Sequence, residues 1–249
     1  MRLLFTVLLA ISGLAGFAVA ADLKVLTAGA FKPAALEIAA EFEKTTGHKV
    51  TVENDTAGGV GRRVGAGEYF DVVVIPPLVL GPYLGNRVVE SSARALARAG
   101  IGVAVKKGAP LPDISTVDAW KQSLLAARAI AYTDPASGGT AGTYLANLFV
   151  KMGIADQLKP KSVLVKGGLA AEKLVSGEAD IALQPSSELL AVPGAQFVGP
   201  IPLDVQYYIP YSGGISTASR QPAAAAELMR AFADPRNLPL LKRKGLDEP

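Results

Sequence analysis

The sequence predicts an α/β protein of two lobes, each a mixed, mostly parallel sheet flanked by helices, with a ligand cleft between them. Three observations carry that prediction. Short β-rich runs alternate with amphipathic helical stretches along the chain, the rhythm of βαβ units. The segment Gly67-Glu68-Tyr69-Phe70-Asp71-Val72-Val73-Val74-Ile75-Pro76 is echoed by Gly177-Glu178-Ala179-Asp180-Ile181-Ala182-Leu183-Gln184-Pro185, as two similar halves require. Finally, Thr27-Ala28-Gly29-Ala30, Thr56-Ala57-Gly58-Gly59 and Ser137-Gly138-Gly139-Thr140 each sit where a strand ends and a helix begins. Open parallel sheets bind ligands at that edge.

The elements follow in order. Leu23 to Thr27 reads as a strand, and Pro33 opens a helix with Ala35, Leu36, Ala39 and Phe42 on one face. Gly47 stops that helix, and Lys49 to Glu53 alternates as a strand. A short helix through Arg62 and Arg63 leads to Asp71 to Ile75, an apolar run suited to a buried parallel strand. In the second half, Ile101 to Val105 is a strand, and Ser115 with Asp118 starts a helix that packs Trp120. Ala129 to Tyr132 runs into the third small-residue turn and a helix closed by Gly153. Ser162 to Lys166 is a strand and Gly168 to Ser176 a helix.

No Pro/Ser-rich linker divides the halves, so two extended crossings are expected, near 101–106 and 205–211. They assign residues 21–102 and 206–249 to the first lobe and 103–205 to the second. A helix from Ala223 to Phe232 packs back on the first lobe.

Residues 1–20 read as a signal peptide: Arg2 is the positive region, Leu3 to Leu14 is mostly apolar, and Ala18-Val19-Ala20 is a small-residue cleavage site. Localisation is therefore periplasmic, and no later run is apolar for long enough to insert in a membrane. The formal charge of +3 leaves no basic stretch of the kind that binds nucleic acid. With no cysteine and a single histidine, thiol catalysis and Cys- or His-rich metal sites are excluded. No cofactor and no metal are expected, and the partner is a small anion.

The anion expectation is physical. A helix start leaves backbone N–H groups unpaired under a partial positive charge, and small residues let a ligand approach them. The expected ligand contacts are Thr27, Gly29, Ala30, Lys32, Thr56, Gly58, Gly59, Arg62, Ser137, Gly138, Gly139, Thr140, Gln184 and Tyr207. Of the adjacent pair, Arg62 is expected to face the cleft and Arg63 to be solvated. Alternation lets Tyr207 and Tyr211 share a face. Asp134 is the carboxylate best placed to act as a base, or else caps a turn. His48 is expected at the surface on the edge away from the cleft.

The order of these turns resembles the periplasmic molybdate-binding-protein family of type II solute-binding proteins over essentially the whole mature chain. The matching pieces are Val25 to Ala34, Glu41 to Gly47, Arg62 through Gly67 to Asp71, Tyr132 to Ala136 and Leu174 to Asp180. The resemblance implies two α/β lobes that close on a small oxyanion and deliver it to an ABC permease; the chain is expected to be a monomer. The chain departs from that family at the ligand, with Ala30 and Gly58 or Gly59 where serines usually stand, and Gln184, Ser186 and Ser187 near a usual tyrosine.

An opening with glycine or alanine followed by Lys32 is closer to a branch resembling periplasmic aconitate isomerase. Two functions therefore stand open. One is capture of an organic acid or oxyanion for uptake. The alternative is a cofactor-free 1,3-allylic proton shift between cis- and trans-aconitate, with Lys32 and Asp134 as catalytic residues.

Overall fold

A computed structural model describes residues 20–249; the expected signal peptide lies almost wholly outside the described residues. The chain runs β1 (Asp22–Ala28), α1 (Lys32–Thr46), β2 (Lys49–Asp55), α2 (Ala57–Gly65), β3 (Val72–Ile75), α3 (Pro77–Leu80) and the long β4 (Arg94–Lys106). It continues with α4 (Val117–Ala126), β5 (Ile130–Thr133), α5 (Thr140–Lys151), α6 (Ala155–Leu158), β6 (Ser162–Val165), α7 (Glu172–Val175), β7 (Ile181–Pro185), α8 (Ser186–Leu189) and β8 (Ala195–Pro200). Last come β9 (Tyr208–Ile215), α9 (Pro222–Phe232) and α10 (Leu238–Arg243).

The sheet order is β2-β1-β3-β9-β4-β7-β5-β6, with β8 on β4. Read from either end, the order has one grammar. In the first half β1 pairs in parallel with β2 and β3, and β3 pairs antiparallel with β9. In the second half β5 pairs in parallel with β6 and β7, and β7 pairs antiparallel with β4. The repeated Gly-Glu…Asp segments take equivalent places. Gly67 and Gly177 both turn at positive φ, 83° and 79°. Asp71 then accepts the Lys24 amide at 2.8 Å, and Asp180 accepts the Arg128 amide at 2.8 Å. Each carboxylate ties the entry of one parallel strand to the start of its neighbour.

β4 joins the halves. Its first part, Arg94 to Gly100, pairs with β9, and Ile101 to Lys106 pairs with β7 and β8. The first part was not anticipated from sequence, because Arg94, Ala95 and Arg98 interrupt the apolar pattern. The Gln206 side chain clamps the changeover, accepting the Ile101 amide and donating to the Ile101 carbonyl, both at 2.8 Å.

Burial explains the helices. In α1, Ala34, Ala35, Ile38, Ala39 and Phe42 face the core, and Gly47 closes the helix at φ 77°, a left-handed cap that favours glycine. Phe31 meets Phe232 of α9 edge to face at 5.7 Å, which docks the C-terminal helix on the first half. Trp120 is fully buried. Its helix is capped by Thr116, whose hydroxyl accepts the Ala119 amide, where Ser115 was expected. The expected helix 168–176 shortens to α7.

His48 overturns the surface expectation. It is buried, accepts the Ala21 amide through Nδ1 at 3.0 Å and packs on Phe42. Arg63 is likewise not solvated alone. It pairs with Glu53 and Glu68, which also hold Lys24.

Candidate functional site

The carboxyl ends of β1, β2, β5 and β7 converge on one inner chamber of about 40 Å³. Ala28 and Asp55 end β1 and β2, while Thr133 and Pro185 end β5 and β7; all four line it. Gly29 and Ala30 bring in the turn before α1. Ala57 opens α2, and Gly139, Thr140 and Ala141 open α5. Two helices from opposite halves thus begin at the same wall, each with the positive end of its dipole toward it; α5 offers the amides of Thr140 and Ala141, whereas the Gly58 and Gly59 amides of α2 are already paired. The chamber holds about three waters' worth of space.

The halves are latched over this chamber. The Thr56 hydroxyl donates to the Ser137 carbonyl at 2.7 Å, and the Gly58 amide donates to the Gly138 carbonyl at 3.0 Å. The exposed Arg62 adds a long bond to the Ser137 carbonyl at 3.4 Å. Four expected ligand contacts, Gly58, Arg62, Ser137 and Gly138, are therefore spent in the interlobe seam, because their polar groups meet each other first. Thr56 borders the chamber, but its hydroxyl also accepts the Gly59 amide as the cap of α2. That cap uses up Gly59. Thr27 is fully buried, with its hydroxyl donating to backbone carbonyls of Ala28 and Val74. It is the last residue of β1 paired with β3, one short of Ala28, and does not line the cavity.

Gln184 does line the chamber, but its amide is engaged. Oε1 accepts the Ala170 amide at 2.7 Å, and Nε2 donates to the Gly168 carbonyl at 3.1 Å and the Thr133 hydroxyl at 3.4 Å. Asp134 caps a turn through the Ala136 amide and does not line the chamber. Tyr207 stands outside it, stacked on Tyr144 at 4.8 Å. Tyr211 is the tyrosine in the chamber wall. Tyr207 precedes β9, so strand alternation does not carry it onto the face that Tyr211 shares.

Two carboxyl groups border the chamber, Asp55 and Glu188, and no lysine or arginine does so among the described residues. Asp55 is partly spent on the Thr56 amide, which it accepts at 2.6 Å. Glu188, on α8, was missed from sequence. Its carboxyl lies directly over Gly29, where any side chain would collide with it. Burial pushes this carboxyl up to about 8, with no cation or donor to offset the desolvation. Tyr211 is pushed well above its ordinary value by burial first and then by the charges of Glu188 and Tyr207. In its protonated form, which the upward shift of Glu188 favours, that carboxyl can donate a hydrogen bond into the chamber.

Lys32 was expected at the ligand. It lines an outer chamber of about 860 Å³ that adjoins the inner one, where Nζ donates to Asn54 Oδ1 at 2.7 Å. Gly29, Asn54, Gly168 and Glu188 line both chambers. No group of three His, Cys, Asp or Glu side chains able to hold a metal occurs among the described residues. Nor is any described helix long and apolar enough to cross a membrane.

Two α/β lobes joined by crossing strands, with a chamber at their helix starts, define a type II periplasmic-binding-protein fold. The chain belongs to the bacterial extracellular solute-binding protein family, which it matches over residues 23–247. It is 34% identical over 218 residues to the aconitate isomerase of a Pseudomonas species, spanning 85% of this chain and 82% of that one. Its fold is similar to the periplasmic molybdate-binding protein of Azotobacter vinelandii, with TM-score 0.73, 22% identity, and 91% and 99% of the two chains covered. The sulfate-binding protein SubI of Mycobacterium tuberculosis aligns with TM-score 0.72 and 14% identity over 92% of this chain and 87% of that one.

Proposed function

We propose that this protein is exported to the periplasm, captures a small carboxylate anion between its lobes and presents it to an ABC importer. One observation carries the reading: α2 and α5, from opposite halves, start at a single chamber over which the halves are hydrogen-bonded together. Helix starts hold anions through amide N–H groups and the dipole, without metal or cofactor. The chamber favours a carboxylate over a dianionic tetrahedral oxyanion. Its wall carries Glu188 and Asp55, no cation among the described residues, and alanine and glycine at the turns. A neutral Glu188 can donate to a carboxylate oxygen, whereas a cluster of serine hydroxyls is lacking.

A specific observation favours a second reading, a cofactor-free isomerase. Glu188 and Tyr211 place two proton-carrying groups with raised pKa in the chamber, a usual sign of acid–base function. The relative named aconitate isomerase points the same way. In such a shift Glu188, as the carboxylate, accepts a proton from a CH2 group activated by neighbouring carboxylates. The C–H electron pair becomes the new C=C bond, and the old C=C pair takes a proton at the far carbon from Glu188 or Tyr211. Amides at the helix starts stabilise the charge that develops. Asp134, outside the chamber, has no part in this route.

Proton NMR of the mature protein with cis-aconitate separates the readings. Appearance of trans-aconitate, absent with Glu188→Gln, supports the isomerase. Saturable binding without turnover supports capture alone. No binding of any carboxylate overturns both.

A further inference from the structure

The two chambers share a neck. Gly29, Asn54, Gly168 and Glu188 border the inner space of about 40 Å³ and the outer space of about 860 Å³. The inner space has room for one carboxylate-sized group and not for a six-carbon polyacid. The cations lie outside the neck, where Lys32, Arg243 and Lys244 line the outer wall together with Glu37 and Glu172. Arg243 and Lys244 are held by Glu37, while Lys32 is bound to the neutral amide of Asn54. Lys32 is thus the cation that can turn to a ligand without breaking an ion pair. Ser187 also lines this wall, and its buried hydroxyl has no hydrogen-bond partner among the described residues.

We infer that the two chambers form one site for an elongated polycarboxylate, with one carboxylate in the inner chamber, another at Lys32, and Glu188 beside the carbons in the neck. This deepens the proposed capture of a carboxylate and rests on it. The titratable and charged groups that line the two chambers with Glu188 are Tyr211 from β9, Asp55 from β2, Lys32 and Glu37 from α1, Glu172 from α7, Arg243 at the end of α10 and Lys244 just past it. With a ligand carboxylate added to this group, the neutral form of Glu188 is the one that binds, by donating a hydrogen bond to it.

Calorimetric titration tests this with sulfate, acetate and tricarballylate, the last a saturated six-carbon tricarboxylate that cannot undergo an allylic shift. At pH 6 tricarballylate is expected to bind at least tenfold tighter than acetate or sulfate. Lys32→Ala removes at least tenfold of that advantage and leaves acetate unchanged. Between pH 6 and 9 the native protein loses about tenfold for tricarballylate, and Glu188→Gln keeps its pH 6 affinity. Thermal melts of both variants check that they fold. Equal affinity for acetate and tricarballylate, or a Lys32→Ala effect of the same size on both, overturns the two-chamber site and leaves carboxylate capture standing. Binding of sulfate with no binding of either carboxylate overturns both.

Discussion

The Gly58 amide donates to the Gly138 carbonyl at 3.0 Å, and a Cβ on Gly58 would stand only 3.0 Å from the Gly138 Cα. Backbone meets backbone at this point because neither residue carries a side chain. Gly138 adds a positive φ of 83°, which glycine adopts without strain. The seam that closes the chamber therefore depends on two glycines. Gly58→Ala is expected to leave the fold intact and prevent full closure, weakening carboxylate binding at least tenfold. Calorimetry reads the affinity, and small-angle scattering reads the loss of ligand-induced compaction.

Thr56 links folding to the seam through one hydroxyl, which accepts the Gly59 amide and donates to the Ser137 carbonyl. Thr56→Val keeps the shape and removes both bonds. Loss of an N-cap costs about 1 kcal/mol, which for a chain of this size lowers Tm by roughly 2–4 °C. Thr56→Ser restores both bonds, so recovery of Tm in the serine variant separates the hydroxyl from packing.

Glu188 makes the ligand-free protein sensitive to alkali. Its carboxyl titrates near its ordinary value when unfolded and at about 8 when folded. Between those values the folded state holds the extra proton, so stability falls as pH rises from about 4.5 to 8. Glu188→Gln removes that fall. The variant should gain roughly 2 kcal/mol over the native protein at pH 8.5, a figure reduced for the partial exposure of the residue. At pH 4.5 it should gain nothing. Urea unfolding at the two pH values measures the difference.

The Lys24–Glu53–Arg63–Glu68 cluster works in the opposite direction. Hydrogen bonds from Arg63 and then Lys24 hold the Glu68 carboxyl down to about 2. Its contribution is present above about pH 4.5 and is lost as pH falls toward 2. The side chains are about a quarter to two-fifths exposed, so Glu68→Gln should cost on the order of 1 kcal/mol at pH 7 and only a minor part of that at pH 2.5, where most of the linkage has been lost. Urea midpoints at pH 7 and pH 2.5 check this.

The fold was legible because its signals are local. The Gly-Glu…Asp echo foretold two equivalent strands, and the small-residue turns foretold where the strands end; the matching carboxylate ties of Asp71 and Asp180 appeared only in the structure. The turns were also the right neighbourhood for the cavity. Which atoms remain free there was not legible, because it depends on what the other half does. Gly58 and Gly138 are consumed by each other, and the Ser137 carbonyl by Thr56, across 80 or so residues of sequence. Gln184 is consumed by the loops around Gly168 and Ala170. Glu188 carried one readable signal, an acidic residue just past the end of a buried strand, Ile181–Pro185. Its burial over Gly29 required the opposite half. Tyr211 and Tyr207 were separable only once β9 was known to begin at Tyr208.

The central claim is that the interlobe chamber holds a small organic carboxylate. Isothermal titration of the mature protein with trans-aconitate, followed by molybdate and sulfate in separate runs, tests it most directly. The account predicts stoichiometric, saturable binding of the carboxylate and at least tenfold weaker binding of either oxyanion. Tight binding of molybdate or sulfate, with no heat from trans-aconitate, would contradict it.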